Sequence, residues 1–302
     1  MKKSGFAVFT FSVKVLSLVD WQKRAQSESA DLEPFVAAHL DRRRRAQTHP
    51  VWDFLFGYYD FKPSHLLRFS PGLGVELEGA HEFCERREWT PTPNGAILDL
   101  AQFPLHRLNG ARETLAVLEA TQNRTARHDC FGLHEWAMVY RAREVRHPLP
   151  LRLPDSQIES FVESQTLRCS HFDAVRFFTD DALPLNTLNP KSGNRAEFEQ
   201  PGCIHANMDL YKWATKFAPW IASKLMIDAF WLAKDARELD MRASPYDLRS
   251  FGFEPITLET SEGRREYAGL QREVAMRAAP IRERLIGTYR ELIEAVEGVP
   301  VV

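Results

Sequence analysis

Apolar positions recur at helical spacing through most of the chain, and they predict a mainly α-helical protein with a minor β portion. Shorter apolar segments predict strands. Apolar and polar side chains alternate over 9–15, which predicts an N-terminal strand or extension. Helices are predicted over 31–46, 111–120, 204–218 and 222–241, with a last charged helix over 263–296 that Pro280 interrupts; strand-like pieces are predicted at 75–77 and 256–258. The pattern divides the chain into an N-terminal segment, 1–30, and a single α-rich catalytic domain, 31–302.

Composition narrows the class of protein. The chain has 302 residues, is 44% hydrophobic and carries a formal net charge of −2. This is the composition of a globular protein without an overall basic field, so only weak, nonspecific binding of duplex DNA is expected. The four arginines at 42–45 indicate a solvated helix face. Four widely spaced cysteines without a CxxC motif are typical of reduced thiols, and no apolar run has membrane-spanning length, which together predict a cytoplasmic protein with no membrane contact.

The segment 199–248 has the highest density of groups capable of chemistry. In the predicted helix 204–218, His205, Asp209 and Lys212 fall on one face. Such a face is either solvated or directed into a pocket, where a histidine and a carboxylate one turn apart share a metal or a proton. Asp240, Arg242 and Tyr246 leave the next helix together, which predicts a polar loop at a cavity mouth that binds an anionic ligand or substrate.

Two further runs pair an imidazole with a carboxylate in apolar surroundings. His134 and Glu135 lie in 129–140, and His171 and Asp173 lie in 170–178. An apolar setting raises the pKa of a glutamate and suits it to acid–base work. The three histidine–acid runs are predicted to converge, with His134, Glu135 and Asp209 as catalytic residues and His171, Asp173 and His205 as ligands of a divalent metal such as zinc or iron.

Dinucleotide-binding, P-loop and nucleophile-elbow motifs are absent from the sequence. Over about 49–248 the chain resembles a bacterial family commonly labelled 3-methyladenine DNA glycosylase, at the runs HPVWDFLFGYY, CFGLHEWAMVYR, HFDAVRFFT, EQPGCIHANMDLYKWATK and ELDMRASPYDL. The resemblance implies hydrolysis of the N-glycosidic bond of an alkylated purine in DNA repair. That chemistry needs a carboxylate to activate water and aromatic side chains to hold the base. Glu135 or Asp209 would supply the first, and Trp136 and Trp213, with Lys212, would bind the substrate.

Three classes of function follow. The first is a hydrolase with a buried histidine–carboxylate pocket that acts on a nucleobase-like or nucleotide-like substrate. The second is a metal-dependent enzyme, for example an iron enzyme, that acts on a small molecule. The third is a non-catalytic binding protein whose polar runs only cap helices and fix loops.

Overall fold

The computed structural model describes residues 13–145 and 147–298, and within them the chain is mainly α-helical with one small sheet, as the sequence predicts. The helices, labelled in chain order, are α1 Leu18–Ala30, α2 Leu32–Arg44, α3 Phe54–Gly57, α4 Pro63–Leu66, α5 Leu108–Gln122, α6 Leu133–Ala137, α7 Asp155–Glu163, α8 Phe172–Val175, α9 Arg195–Phe198, α10 Ile204–Lys216, α11 Ser223–Arg242 and α12 Ser261–Glu297. The strands are β1 Lys14–Leu16, β2 Val75–Glu78, β3 Trp89–Pro91 and β4 Gly95–Leu98.

The four strands form a sheet in the order β1-β2-β4-β3. β1 runs parallel to β2, with Leu16 opposite Leu77, and the other two pairs are antiparallel, with Leu77 opposite Ala96. The leucines and Ala96 are buried, so one face of the sheet packs on the helical body. The strand predicted at 75–77 is confirmed. The predicted N-terminal strand is found at its end, in β1, while its part before residue 13 lies outside the described residues.

Helices α10, α11 and α12 pack against one another, and α5 packs on α12. α10 starts after the Pro201–Gly202 turn, where a Cβ on Gly202 would lie 2.3 Å from the carbonyl oxygen of Arg127. Ten of the thirteen residues of α10 are buried, so it is the central helix of the bundle. On its polar face Asp209 is buried, whereas His205, Lys212 and Lys216 are part-buried, so this face is only partly open to solvent.

Three sequence predictions are wrong in detail. Helix α12 continues through Pro280, because Ala278 and Ile281 on either side are buried and hold both halves in place. The piece 256–258 is not a strand; Ile256 and Leu258 are apolar because they pack into the core from a loop. The segment 1–30 is not only a strand or extension, since α1 is a helix whose buried Trp21 donates its indole N–H to the carbonyl of Glu78, 2.9 Å away.

Candidate functional site

Three histidines from distant parts of the chain lie together between α6, α8 and α10. The ring of His205 is edge-on to that of His134, with centroids 4.3 Å apart, and stacks on that of His171 at 5.4 Å. His205 is therefore the central ring of the three. The predicted convergence of the histidines is confirmed.

Each histidine is placed by a local feature of the backbone. His134 is in the short helix α6, which follows Gly132 at a φ of 67°. A Cβ there would lie 3.0 Å from the Tyr267 ring, so glycine suits both the turn and the packing. His171 immediately precedes α8, and His205 is in the first turn of α10.

His134 and Asp240 form the closest pair of the site. Nε2 of His134 lies 2.7 Å from Oδ1 of Asp240, and both side chains are almost completely buried. At this separation the two groups form a buried ion pair when His134 is protonated, and the carboxylate favours that form. Nε2 of His205 lies 4.0 Å from the other oxygen of Asp240, and one ligand atom from each of the three residues falls within 4.8 Å of the others. This arrangement directs two nitrogens and one carboxylate oxygen toward a shared point.

Opposing effects set the charges of these groups. Burial disfavours ionisation of Asp240, but His134, His205 and Arg237 outweigh burial and hold the pKa of Asp240 well below its usual range. Burial also disfavours the imidazolium of His134, yet the Asp240 carboxylate raises the pKa of that ring. Burial and the charge of His134 lower the pKa of His205 well below its ordinary value, so His205 is neutral at pH 7.

Arg237 of α11 connects this group to Glu135. Its Nη1 donates to Oε1 of Glu135 at 3.2 Å and to Oδ2 of Asp240 at 3.1 Å. Its side chain is 2% exposed, and that of Glu135 is 4% exposed. Glu135, predicted as a catalytic acid or base, is thus part of a buried ion pair beside His205.

His171 belongs to a second buried cluster. Its Nε2 lies 3.3 Å from Oδ2 of Asp209 and 3.7 Å from Oε1 of Glu199. Nη1 of Arg195 lies 3.5 Å from the same Glu199 oxygen and 3.6 Å from the same Asp209 oxygen. Burial lowers the pKa of His171, but the charges of Glu199 and Asp209 outweigh burial and raise it. The cation at the centre of this cluster is a guanidinium of the chain itself.

The predicted metal-ligand set of His171, Asp173 and His205 is therefore wrong. Asp173 binds Arg195 and, at 3.1 Å, Lys212, and these cations occupy its carboxylate. Among the described residues, the group able to hold a metal is His134, His205 and Asp240. His134 was predicted to be catalytic and Asp240 to lie in a polar loop, because no pattern in the sequence shows that α6 and the end of α11 meet.

A cavity of about 280 Å³ opens on the His134–His205 side of the site. Arg168 lines it and has a buried Nε with no hydrogen-bond partner among the described residues. Three thiols also line it, those of Cys130, Cys169 and Cys203. Burial raises the pKa of the Cys169 thiol to about 12, so the thiol is protonated and uncharged at neutral pH. On the opposite side of His205, a narrow pocket is lined by Glu135 and Arg237.

Several predicted substrate-binding residues do not reach the cavity. Trp136 is fully buried and donates its indole N–H to the carbonyl of Ala243. Trp213 is buried beneath the ammonium groups of Lys212 and Lys216. Both tryptophans are packing residues, since aromatic rings contribute large buried area to a core.

The polar exit loop predicted from Asp240, Arg242 and Tyr246 is also wrong. Arg242 donates from Nε to the carbonyl of Glu254 at 2.9 Å, and Tyr246 packs its ring against His147. Asp240 alone of the three belongs to the histidine site. Asp240 and Arg242 are two positions apart at the end of a helix, so their side chains point to nearly opposite sides and contact different neighbours.

Sequence reasoning did not identify Arg195, Glu199 and Arg237 as site residues. A signal exists for Arg237, because it lies three positions before Asp240 on a helix whose other buried positions, apart from Ser223, are apolar. Arg195 and Glu199 carried no such signal, since the turn between α9 and α10 brings them to the site.

Comparisons of the chain with protein-family models, with curated proteins and with solved structures gave no match. In the part of the chain that the structure describes, no helix combines the length and apolar character needed to cross a membrane.

Proposed function

We propose that this protein is a metal-dependent enzyme in which His134, His205 and Asp240 bind one divalent cation. The observation that supports this most is that one ligand atom from each of the three residues lies within 4.8 Å of the others, in a site that is buried or part-buried throughout. Two ligands of one tetrahedral metal, each about 2.0–2.2 Å from the ion, lie about 3.3–3.6 Å apart. Nε2 of His134 and Oδ1 of Asp240 lie 2.7 Å apart, so these two side chains would separate slightly as the ion enters.

Two imidazoles and one carboxylate suit zinc or ferrous iron. A cation held in this way, with coordination positions left for solvent, lowers the pKa of a bound water and supplies a nucleophile at neutral pH. The protein prepares the ligands for this role. His205 is neutral, as a metal ligand must be, whereas His134 has a raised pKa and would release its proton when the cation binds. Arg237 holds the second oxygen of Asp240, which fixes the orientation of the carboxylate.

The chemistry that fits this site best is hydrolysis of a small molecule in the adjoining cavity. His171 stacks on His205 and pairs with Asp209 but lines neither pocket beside the histidines, so it would orient the His205 ring. Arg168, whose Nε has no partner among the described residues, is the group in the cavity wall that would bind an anionic part of the substrate.

Cleavage of an N-glycosidic bond stays a prediction from the resemblance. Trp136 and Trp213, which would have held a flipped base, are in the core. The basic run at 42–45 is not a free phosphate-binding surface throughout, because Arg42 is paired with Asp53. A small-molecule substrate is therefore proposed ahead of DNA.

Metal analysis tests the proposal. The purified protein, incubated separately with zinc and, without oxygen, with ferrous iron and then desalted, is expected to retain one ion per chain. His205→Gln and Asp240→Asn should each lose it, whereas His106→Ala, which replaces an exposed histidine, should retain it. Far-UV circular dichroism and near-UV spectra establish that the variants are folded. A wild-type protein that retains neither metal, or a stoichiometric ion that both site variants retain, would refute the metal site.

Activity is then measured with the metal-loaded protein on phosphate esters, carboxylic esters, amides and purine nucleosides. Release of an alkylated base from duplex DNA, abolished by Glu135→Gln or Asp209→Asn, would instead establish the glycosylase reaction that the resemblance implies.

A further inference from the structure

A second cavity of about 280 Å³ lies at the opposite end of α10 from His205. Its wall comes from the segment around α4, from β3 and the turn before it, and from the end of α10 with the turn that follows. It shares no lining residue with the two pockets beside the histidines. Nothing in the proposed metal chemistry uses it.

The charges around this cavity are unbalanced. Four cationic side chains line it, and the acid among the lining residues is Glu88. The cations are Arg68, Arg86, Arg107 and Lys216. None of the four lies within 4.0 Å of a carboxylate in the described residues, although most other arginines of the protein are paired.

Neutral groups hold two of these cations in place. Nζ of Lys216 donates to Oγ1 of Thr114 at 3.0 Å and to the carbonyl of Gly110 at 3.3 Å. Arg107 donates to the carbonyl of Lys216 and lies over the Phe217 ring, 4.8 Å from its centroid. Both positions are thus fixed by the fold without any neutralising partner.

The cations also act on one another. Burial lowers the pKa of Lys216, and the charge of Arg107 lowers it further. Burial lowers the pKa of Arg86, and Arg68 adds to the effect. His65, in the same wall, has its pKa lowered by burial and by the charge of Arg68. Glu82, Glu85 and Glu88 partly offset the charge of Arg86, and Glu113 partly offsets that of Lys216. The cavity wall itself still holds four cations beside one acid, which favours a bound anion.

We propose that this cavity binds a small phosphate-bearing molecule. Guanidinium groups donate in a planar fork that matches two oxygens of a phosphate, and an ammonium adds a point charge. Arg68 and Arg86 supply the forks from the outer part of the wall, while Lys216 and Arg107 supply charge from the α10 side. The rings of Phe61 and Trp89 give the same wall an apolar part that would pack against the organic portion of a phosphate ester. A concave site of this volume suits a small ligand rather than a nucleic-acid backbone.

Calorimetric titration tests the proposal with inorganic pyrophosphate and adenosine monophosphate as probes. The protein is stripped of metal first, so that a chelating probe reports only on this cavity. Wild type is expected to bind at least one probe saturably, with one site per chain. Arg68→Ala and Arg86→Ala should each weaken binding tenfold or more, and Arg68→Lys should recover less than half of that loss because a point charge cannot replace the fork.

Arg87→Ala is the matched control, since Arg87 is exposed, adjacent to Arg86 in sequence and not part of the cavity wall. It should change the dissociation constant by less than twofold. His205→Gln should also leave binding intact, which separates this site from the metal site. The proposal is overturned if neither probe binds saturably, or if Arg86→Ala and Arg87→Ala weaken binding equally. Displacement of the probe by a short DNA duplex of higher affinity would likewise overturn it and identify a nucleic-acid surface.

Discussion

Replacement of Arg237 by methionine is expected to destabilise the protein strongly. The guanidinium of Arg237 contacts Glu135 at 3.2 Å and Asp240 at 3.1 Å, and the side chains of all three residues are at most 4% exposed. Methionine retains most of the apolar stem but leaves the Glu135 carboxylate buried without a cation. Asp240 keeps His134 at 2.7 Å, so the damage falls mainly on Glu135.

The magnitude follows from the burial of the pair. Removing one partner of a buried ion pair costs about 3–5 kcal/mol, because the remaining charge is neither solvated nor paired. An exposed pair contributes about 0–1 kcal/mol. The pair of Arg265 and Glu262 has side chains that are 75% and 73% exposed, and Arg265→Met is therefore the matched control.

Urea denaturation followed by fluorescence and circular dichroism measures the effect. The free energy of unfolding should fall by about 3–5 kcal/mol in Arg237→Met and by less than about 1 kcal/mol in Arg265→Met. The double variant Arg237→Met with Glu135→Leu should regain at least half of the loss, because neither charge is then left alone in the core. A single variant as stable as the control, or a double variant less stable than the single one, would refute the reasoning.

Three further outcomes are expected. Burial disfavours ionisation of Asp173, but Lys212 and Arg195 hold its pKa below its usual range. The stabilisation by the carboxylate is therefore present above about pH 4 and is lost as the pH falls through the folded-state pKa. In acid denaturation curves, Asp173→Asn should cost about 2 kcal/mol at pH 7 and progressively less below pH 4. Cys169, whose pKa is raised to about 12, should react with iodoacetamide at pH 8 at least tenfold more slowly in the folded than in the urea-unfolded protein, by peptide mass analysis, and equal rates would contradict its burial. Arg242→Lys should leave metal content and substrate affinity unchanged, since the Arg242 guanidinium contacts the carbonyl of Glu254; a loss of either would place Arg242 back at the site.

The histidine site shows which contacts between side chains the sequence predicts and which it does not. His205 and Asp209 were predicted to share a face of α10, and both do contribute to the buried polar region. Their partners were predicted less well. The predicted metal set paired His205 with Asp173. In the structure Asp173 forms ion pairs with Arg195 and Lys212, and it is Asp240 that lies beside His134.

Trp136 and Trp213 were predicted to bind the substrate, and the structure buries both of them instead. Trp136 and Trp213 stand next to charged residues in the sequence, which suggested that they face a substrate. In the structure they point into the core, because adjacent residues on a helix lie about 100° apart and face different surroundings. Sequence adjacency to a reactive group therefore says little about which side chain reaches the cavity.

The sequence by itself determined the mainly helical class with a minor β portion, five of the helices, the strand at 75–77 and the three histidine runs. These depend on residue type and on spacings of two, three or four positions, which the chain carries locally. Only the tertiary structure decided which carboxylate meets which histidine, which arginine is buried, and where cations gather without partners. Those contacts join residues separated by tens to more than a hundred positions, such as Arg237 and Glu135, and they follow from how α6, α10 and α11 pack rather than from any local pattern.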